Sequence, residues 1–251
     1  MTENRRISDF IAYKRSVEAK YPVLTSSPKI ITVDGVDGSG KTTLSSKICS
    51  LLSDTFGKDR VLLVSATNLR GSSNQVRLNS ISKSRDDFHG DYRLDLVYTV
   101  GVNRAYGDLI YPAIEAGKIV VVDRSEVDLL RYAIERKDEI SLSKRAAFIA
   151  EGTLTHRLWA GNRVFLKMTA DDIWANLSER GVNSSYDPRS LEEVRRRIEA
   201  QDEAEAAILR MSAFGKVNVI AMPNTRVEDL IEREKYLSDI AKQIVENLVI
   251  D

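Results

Sequence analysis

Residues Ile30-Ile31-Thr32-Val33-Asp34-Gly35-Val36-Asp37-Gly38-Ser39-Gly40-Lys41-Thr42-Thr43-Leu44 read as a buried strand, a glycine-rich turn and the start of a helix. The turn carries the pattern Gly-x-x-x-x-Gly-Lys-Thr. Glycines allow tight backbone geometry, so that successive amide N–H groups can face an anion. A helix N-terminus behind them adds a positive end. Lys41 brings a compact cation to the β- and γ-phosphates of a nucleotide, and Thr42 offers a hydroxyl to Mg²⁺. The motif alone is shared by many proteins. Its setting between an apolar strand and a helix with the stripe Leu44, Ile48, Leu51 and Leu52 is what makes it a phosphate loop. The donor-binding stretch is therefore Gly35, Val36, Asp37, Gly38, Ser39, Gly40, Lys41, Thr42 and Thr43. Asp37 has two readings: a turn aspartate, or a carboxylate that faces a cation or a donor hydroxyl of a ligand.

Outward from this stretch, four more short runs rich in Val and Ile follow: 61–64, 119–122, 164–166 and 217–220. They are continuous rather than alternating, as in strands covered on both faces. Helical patterns lie between them, including a long one over 86–116 that Pro112 should kink or restart and Gly117 should end. This predicts a mostly parallel sheet between two layers of helices. The segment 6–20 has apolar residues at helical spacing, and Pro22 with Ser26-Ser27-Pro28 reads as a connector. The division expected is an N-terminal helical extension, 1–28, and a single domain, 29–251. The extension either packs on the domain or makes a subunit contact, as in a homodimer.

The chain has 251 residues, 43% of them hydrophobic, enough for a substantial core. Basic and acidic side chains balance at 37 each, so no global field points to nucleic acid or membrane. No apolar run has the length of a membrane span. The single cysteine, Cys49, excludes an internal disulfide and fits a reducing, cytoplasmic setting. One cysteine and two histidines exclude the usual structural zinc site.

Beyond the loop, the run 119–122 ends in Asp123-Arg124-Ser125. Strand C-terminal ends face the ligand crevice of an open parallel sheet, which would bring this pair near the phosphate loop. Asp123 can hold the metal or its waters, and Arg124 can fork onto a phosphate. The alternative is a surface Asp–Arg pair. Arg104 is either a site residue or a solvated helix face, and Arg70 and Arg77 lie in a polar loop. Residues 178–190 form a short polar segment between helices, with Ser190 and Glu193 as a capping box for the second helix. It reads as a mobile lid (or a plain exposed connection) whose Arg180 and Arg189 could close over a transferring phosphate.

The stretch 31–44, Asn103-Arg104, and Val120-Val121-Val122-Asp123-Arg124 with Tyr132 together resemble the thymidylate kinase family over roughly residues 29–222. The resemblance implies a three-layer P-loop fold, with a five-stranded parallel sheet, helices on both faces and a small lid. It also implies ATP with Mg²⁺ as phosphoryl donor and a nucleoside monophosphate as acceptor. Asp37 would face the acceptor sugar, Arg104 and Val100 the base, Tyr132 the acceptor, and Arg70 and Arg124 its phosphate. Gly38 stands where some members carry a loop arginine, a charge that Arg180 or Arg189 would supply here. The chain departs from the family pattern on the acceptor side. Thr67-Asn68-Leu69-Arg70-Gly71 replaces Glu-Pro-Gly-Gly, and Val100 stands at a common aromatic position. Ser125, Asp128 and Ala133 replace an aromatic or His, a small hydroxyl residue and a Gln.

Three functions follow from these residues. The first is transfer to a (deoxy)nucleoside monophosphate. The second is kinase chemistry on a nucleoside, modified nucleotide or other small metabolite. The third is a nucleotide-gated binding module, for which the guanine-binding Asn-Lys-x-Asp and the transporter Leu-Ser-Gly-Gly signatures are both missing.

Overall fold

The computed structural model describes residues 25–65, 102, 105–135, 158–181, 188–211 and 218–250. The segment 6–20, the loop with Arg70 and Arg77, residues 86–101 with Val100, Asn103-Arg104 and the centre of the expected lid lie outside these residues. Five strands pair in parallel: β1 (Thr25–Asp34), β2 (Val61–Ser65), β3 (Ile119–Asp123), β4 (Leu158–Lys167) and β5 (Asn218–Pro223), in the order β2-β3-β1-β4-β5. Helices α1 (Lys41–Phe56), α2 (Tyr111–Glu115), α3 (Glu126–Glu135), α4 (Ala170–Arg180), α5 (Leu191–Met211) and α6 (Leu230–Glu246) complete the described elements, with a short 3₁₀ turn at Lys58–Arg60.

The strand pleat divides the core in two. Val120 and Val122 of β3, with Ile30 and Phe165, pack against α3, α5 and the turns around Tyr106 and Ala113. Ile119 and Val121, with Ile31, Val33 and Val164, pack against α1 and α6 through Leu44, Ile48, Leu52, Leu237 and Ile244. This alternation on a sheet covered by helices on both sides gives the three layers expected from the sequence. Every residue of β3 is buried. The outer strands β2 and β5 differ from expectation: Leu63 and Val219 are more than one-third exposed, because each strand is an edge among the described residues. No described helix is long and apolar enough to cross a membrane.

Two local findings refine the sequence reading. Ser26-Ser27-Pro28 is not a connector but part of β1: Ser26 and Ser27 pair with Trp159 and Ala160, and the register slips between Ser27 and Ile31. Pro28 sits in that irregularity, a site in a sheet that tolerates a missing N–H. Pro112 does not begin a new helix: right-handed helical backbone runs on from Ala105 through a π-helical turn, Tyr106–Ile110, into α2, where Pro112 lies in the first turn, and Gly117 (φ 76°) closes it.

Candidate active site

The C-terminal ends of β1, β3 and β4 converge on the phosphate loop. Gly38 (φ 90°) and Gly40 (φ 92°) have left-handed backbone, and Gly40 is the N-cap of α1. A Cβ at Gly38 would lie 3.0 Å from Leu177, which with Val36, Ile173 and Val194 forms a small core beneath the loop. The loop's carbonyls are turned inward and held there. Lys41 Nζ donates to the oxygens of Gly35 (2.7 Å) and Val36 (2.9 Å). Asn176 on α4 donates to Gly38 O (3.1 Å), and Asn224 after β5 donates to Ser39 O (2.8 Å). Ser39 N–H closes the loop on Val36 O at 3.0 Å, while the buried Ser39 hydroxyl has no hydrogen-bond partner among the described residues.

Asp123 at the end of β3 accepts from Thr42 Oγ1 at 2.8 Å through Oδ2, while its buried Oδ1 has no hydrogen-bond partner among the described residues. One hydroxyl and one carboxylate with a spare oxygen fit Mg²⁺, which takes few protein ligands and completes its octahedron with water and phosphate oxygens. No group of three or more His, Cys, Asp or Glu side chains that could hold a metal ion occurs among the described residues.

Asp37 is the electrostatic centre. Its Oδ1 accepts from Arg124 Nη2 at 2.6 Å and lies 3.6 Å from Lys41 Nζ. Its Oδ2 lies 3.4 Å from Arg197 Nη1 and 3.7 Å from Arg131 Nη2. Burial alone would lift this carboxyl, but Arg124, Lys41, Arg131 and Arg197 hold it well below the ordinary aspartate range. Arg124 takes left-handed backbone (φ 72°) at the strand end and donates its N–H to Val33 O at 3.1 Å. Its second terminal nitrogen bonds Asp128 at 2.8 Å. Asp128, one turn along α3, is fully buried, and against that burial Arg124 and Arg131 lower its pKa. Lys41 is shifted down, by burial first and by Arg124 next. The Arg131 guanidinium lies 4.2 Å over the Tyr132 ring and also pairs with Glu135.

Behind this layer, Asp34 accepts from the N–H and hydroxyl of Ser125, each at 2.9 Å. Burial, and the nearby charge of Asp128, push its pKa up to about 7. Ser125, which departs from the family pattern, thus joins the end of β3 to the end of β1. Arg163 of β4 pairs with Glu126 in the same buried layer.

The structure brings together Lys41, Thr42, Asp37, Asp123, Arg124 and Tyr132. Arg180 and Arg189 are exposed at the two ends of the lid segment, and Ser190 and Glu193 cap α5 as expected: Glu193 N donates to Ser190 Oγ at 3.1 Å. The reciprocal bond reaches back one residue further, from Arg189 N to Glu193 Oε2 at 2.9 Å. Four participants were not singled out from the sequence: Arg197, Arg131, Asn176 and Asn224. The arginines had a signal. Arg131 follows Val127 by four residues and Arg197 follows Val194 by three, so each lies on its helix's buried face. The asparagines had none, since nothing local marks an amide that will meet a loop far away in the chain.

No protein-family model matches the chain. Over 103 residues it is 34% identical to the thymidylate kinase of Anaplasma phagocytophilum (strain HZ), covering 41% of this chain and 46% of that protein. It is 32% identical over 103 residues to the thymidylate kinase of Anaplasma marginale (strain Florida), covering 48% of it. The matched stretch thus spans about half the length of these curated relatives. Among solved structures, thymidylate kinase from Ehrlichia chaffeensis superimposes with a TM-score of 0.58 at 16% identity, over 90% of this chain and all of that one. The chain shares the fold of that structure, a five-stranded parallel sheet between helices with a phosphate-loop motif at the strand ends.

Proposed function

We propose that the protein is an ATP-dependent kinase that transfers a phosphoryl group to a (deoxy)nucleoside monophosphate, giving the diphosphate. The observation that carries this reading is the junction at Asp37. One carboxylate of the phosphate loop is hydrogen-bonded to Arg124, the arginine beside the Thr42–Asp123 pair. On this reading a donor-phosphate site and a second anion site would form one unit. The partial sequence similarity to thymidylate kinases and the common fold support the same assignment.

Gly35–Thr43 would cradle the donor phosphates, with Lys41 exchanging its loop carbonyls for phosphate oxygens. Thr42 and Asp123 would hold Mg²⁺, which supplies charge neutralisation across the donor phosphates when bound. Arg124 and Tyr132 would meet the acceptor, and Asp37 would orient both Arg124 and the acceptor sugar. Catalysis of this kind is positioning and charge stabilisation, since an anionic phosphate oxygen needs no strong base to attack. The set of Lys41, Arg124, Arg131, Arg197 and Asp37 supports that chemistry. The substrates are small nucleotides, and a cytoplasmic setting accords with the single cysteine.

A second reading keeps the chemistry but changes the acceptor to a nucleoside, a modified nucleotide or another small metabolite. Asp128 favours it, because a buried carboxylate competes with an acceptor phosphate for the Arg124 fork. The test is ATP consumption across all nucleoside monophosphates, nucleosides and related metabolites, with Lys41→Ala as control. Turnover on monophosphates, lost by orders of magnitude in the control, supports the first reading. Turnover only on other acceptors selects the second. Tight ATP binding with no transfer to any acceptor makes the chain a binding module instead.

A further inference from the structure

Helix α5 contains three consecutive arginines, Arg195, Arg196 and Arg197. The first two are exposed; the third is 2% exposed. It lies on the buried stripe of the helix with Val194, Gln201 and Ala204, where an apolar residue would be ordinary. Burying a guanidinium costs several kcal/mol unless it is well paired. Yet among the described residues its two charge contacts are long: 3.3 Å to Glu193 Oε1 and 3.4 Å to Asp37 Oδ2. By contrast, Arg124 meets Asp37 at 2.6 Å. Arg197 is therefore buried at the phosphate loop but loosely held there. Its helix is anchored by the small core of Val36, Ile173, Leu177 and Val194, so its backbone is fixed against the loop. Glu193 steadies it from behind, its other oxygen accepting from Arg189 N. On the far side of the same Asp37 carboxylate lies Lys41.

We propose that Arg197 is the arginine that neutralises the phosphoryl group in transfer. It would move from Asp37 onto that group when donor and acceptor are both bound. The inference rests on the kinase reading above and assigns this role to helix α5 instead of the exposed Arg180 or Arg189. In the step concerned, an anionic oxygen of the acceptor phosphate bonds to the γ-phosphorus. The bond from that phosphorus to the β-bridging oxygen breaks, and its electron pair stays with the departing nucleoside diphosphate. No proton has to move. Negative charge spreads over the equatorial oxygens, where a planar cation with several donors is most effective. Releasing Arg197 does not strand Asp37, which keeps Arg124, Lys41 and Arg131.

The experiment uses the full chain and Arg197→Gln, Arg197→Ala and Arg197→Lys. It compares kcat with the best monophosphate acceptor, ATP affinity by calorimetry, melting temperature, and rescue of Arg197→Ala by millimolar guanidinium. Arg197→Gln should lower kcat at least about 100-fold, the size of effect seen when one charge-stabilising donor is removed. ATP affinity should stay within about threefold, and guanidinium should restore at least about tenfold of the lost rate in Arg197→Ala. If the neutral variants do not fold, Arg197→Lys keeps the charge and should still lose at least about tenfold, since an ammonium cannot fork. A kcat within threefold of wild type in a folded Gln or Lys variant overturns the proposal. So does a loss of ATP affinity equal to the loss of rate without guanidinium rescue, which marks a structural role. Absence of turnover by the wild-type chain on every monophosphate overturns the kinase reading itself and is distinguished by the wild-type arm alone.

Discussion

Replacing Asp37 by Asn removes one negative charge at nearly constant shape from the point where Arg124, Lys41, Arg131 and Arg197 meet. The side chain is 10% exposed, so water can replace little of the lost interaction. Removing one partner of a buried ion pair costs about 3–5 kcal/mol, mostly as the cost of the uncompensated charge left behind. The lower part of that range applies, because Asp128 still holds Arg124 and Arg131. A loss of roughly 3 kcal/mol in a chain of this length lowers the melting temperature by roughly 6–12 °C. The sign with pH follows from the depressed carboxyl. A carboxylate whose folded pKa lies below its unfolded value near 3.8 contributes fully above that value and loses its contribution as pH falls through the folded pKa. The gap between wild type and variant should therefore be the same at pH 7 and pH 5.5 and close only in strong acid. Inorganic phosphate should also raise the melting point of the variant more than that of wild type, since it binds cations that only the variant leaves uncompensated. Thermal unfolding of both proteins in phosphate and in chloride at matched ionic strength reads all three effects. A variant that melts within about 2 °C of wild type, or that responds equally to both salts, would refute Asp37 as the anionic hub.

Gly161→Ala places a methyl 2.6 Å from Ser27 O and 2.7 Å from Pro28 N, backbone atoms that cannot yield without moving β1. It should destabilise by about 2–3 kcal/mol and speed hydrogen exchange at 25–28 and 158–160 ahead of the rest of the sheet. Asp34→Asn should gain stability relative to wild type as pH rises from about 4 to 7. A buried carboxyl raised to about 7 favours the folded state only while protonated, so wild type loses stability through that window and the amide does not. Parallel pH-stability curves for the two proteins would refute the assignment. Lys41→Ala should abolish transfer while leaving the fold, because the residue's own bonds go to loop carbonyls that water can reach once the side chain is gone; circular dichroism beside the turnover assay checks both halves.

The sheet was legible because each strand is a compact apolar run, and in β1, β3 and β4 that run is buried on both faces. Its misread edges share one cause. Ser26-Ser27-Pro28 has the composition of a turn, and only the partner strand shows otherwise. Gly161 lacks the side chain that would collide there, so the serines and proline can lie in the sheet across a bulge. Likewise β2 and β5 have the composition of central strands but occupy the edges, and strand order is a property of the connections rather than of any one run. The phosphate loop and Asp123-Arg124 were legible because their chemistry is local to a strand end. Arg131 and Arg197 were not, because an arginine in a helix is most often solvated. The register that buries them depends on apolar neighbours three or four residues earlier, whose own burial the tertiary fold decides.

Asp128, one of the departures read from the sequence, is balanced in space by a charge that the sequence reading did not single out. Asp128 stands where a small hydroxyl is common, and on its own it would repel an acceptor phosphate from Arg124. Arg131, three residues on, sits against both Asp128 and Asp37 and restores the lost positive charge. An anion and a cation are thus buried together on one turn of α3, around an arginine whose fork is held between two carboxylates. A buried pair of this kind costs desolvation that its mutual attraction only about repays, so its effect is on the orientation of Arg124, which Asp128 holds from one side and Asp37 from the other.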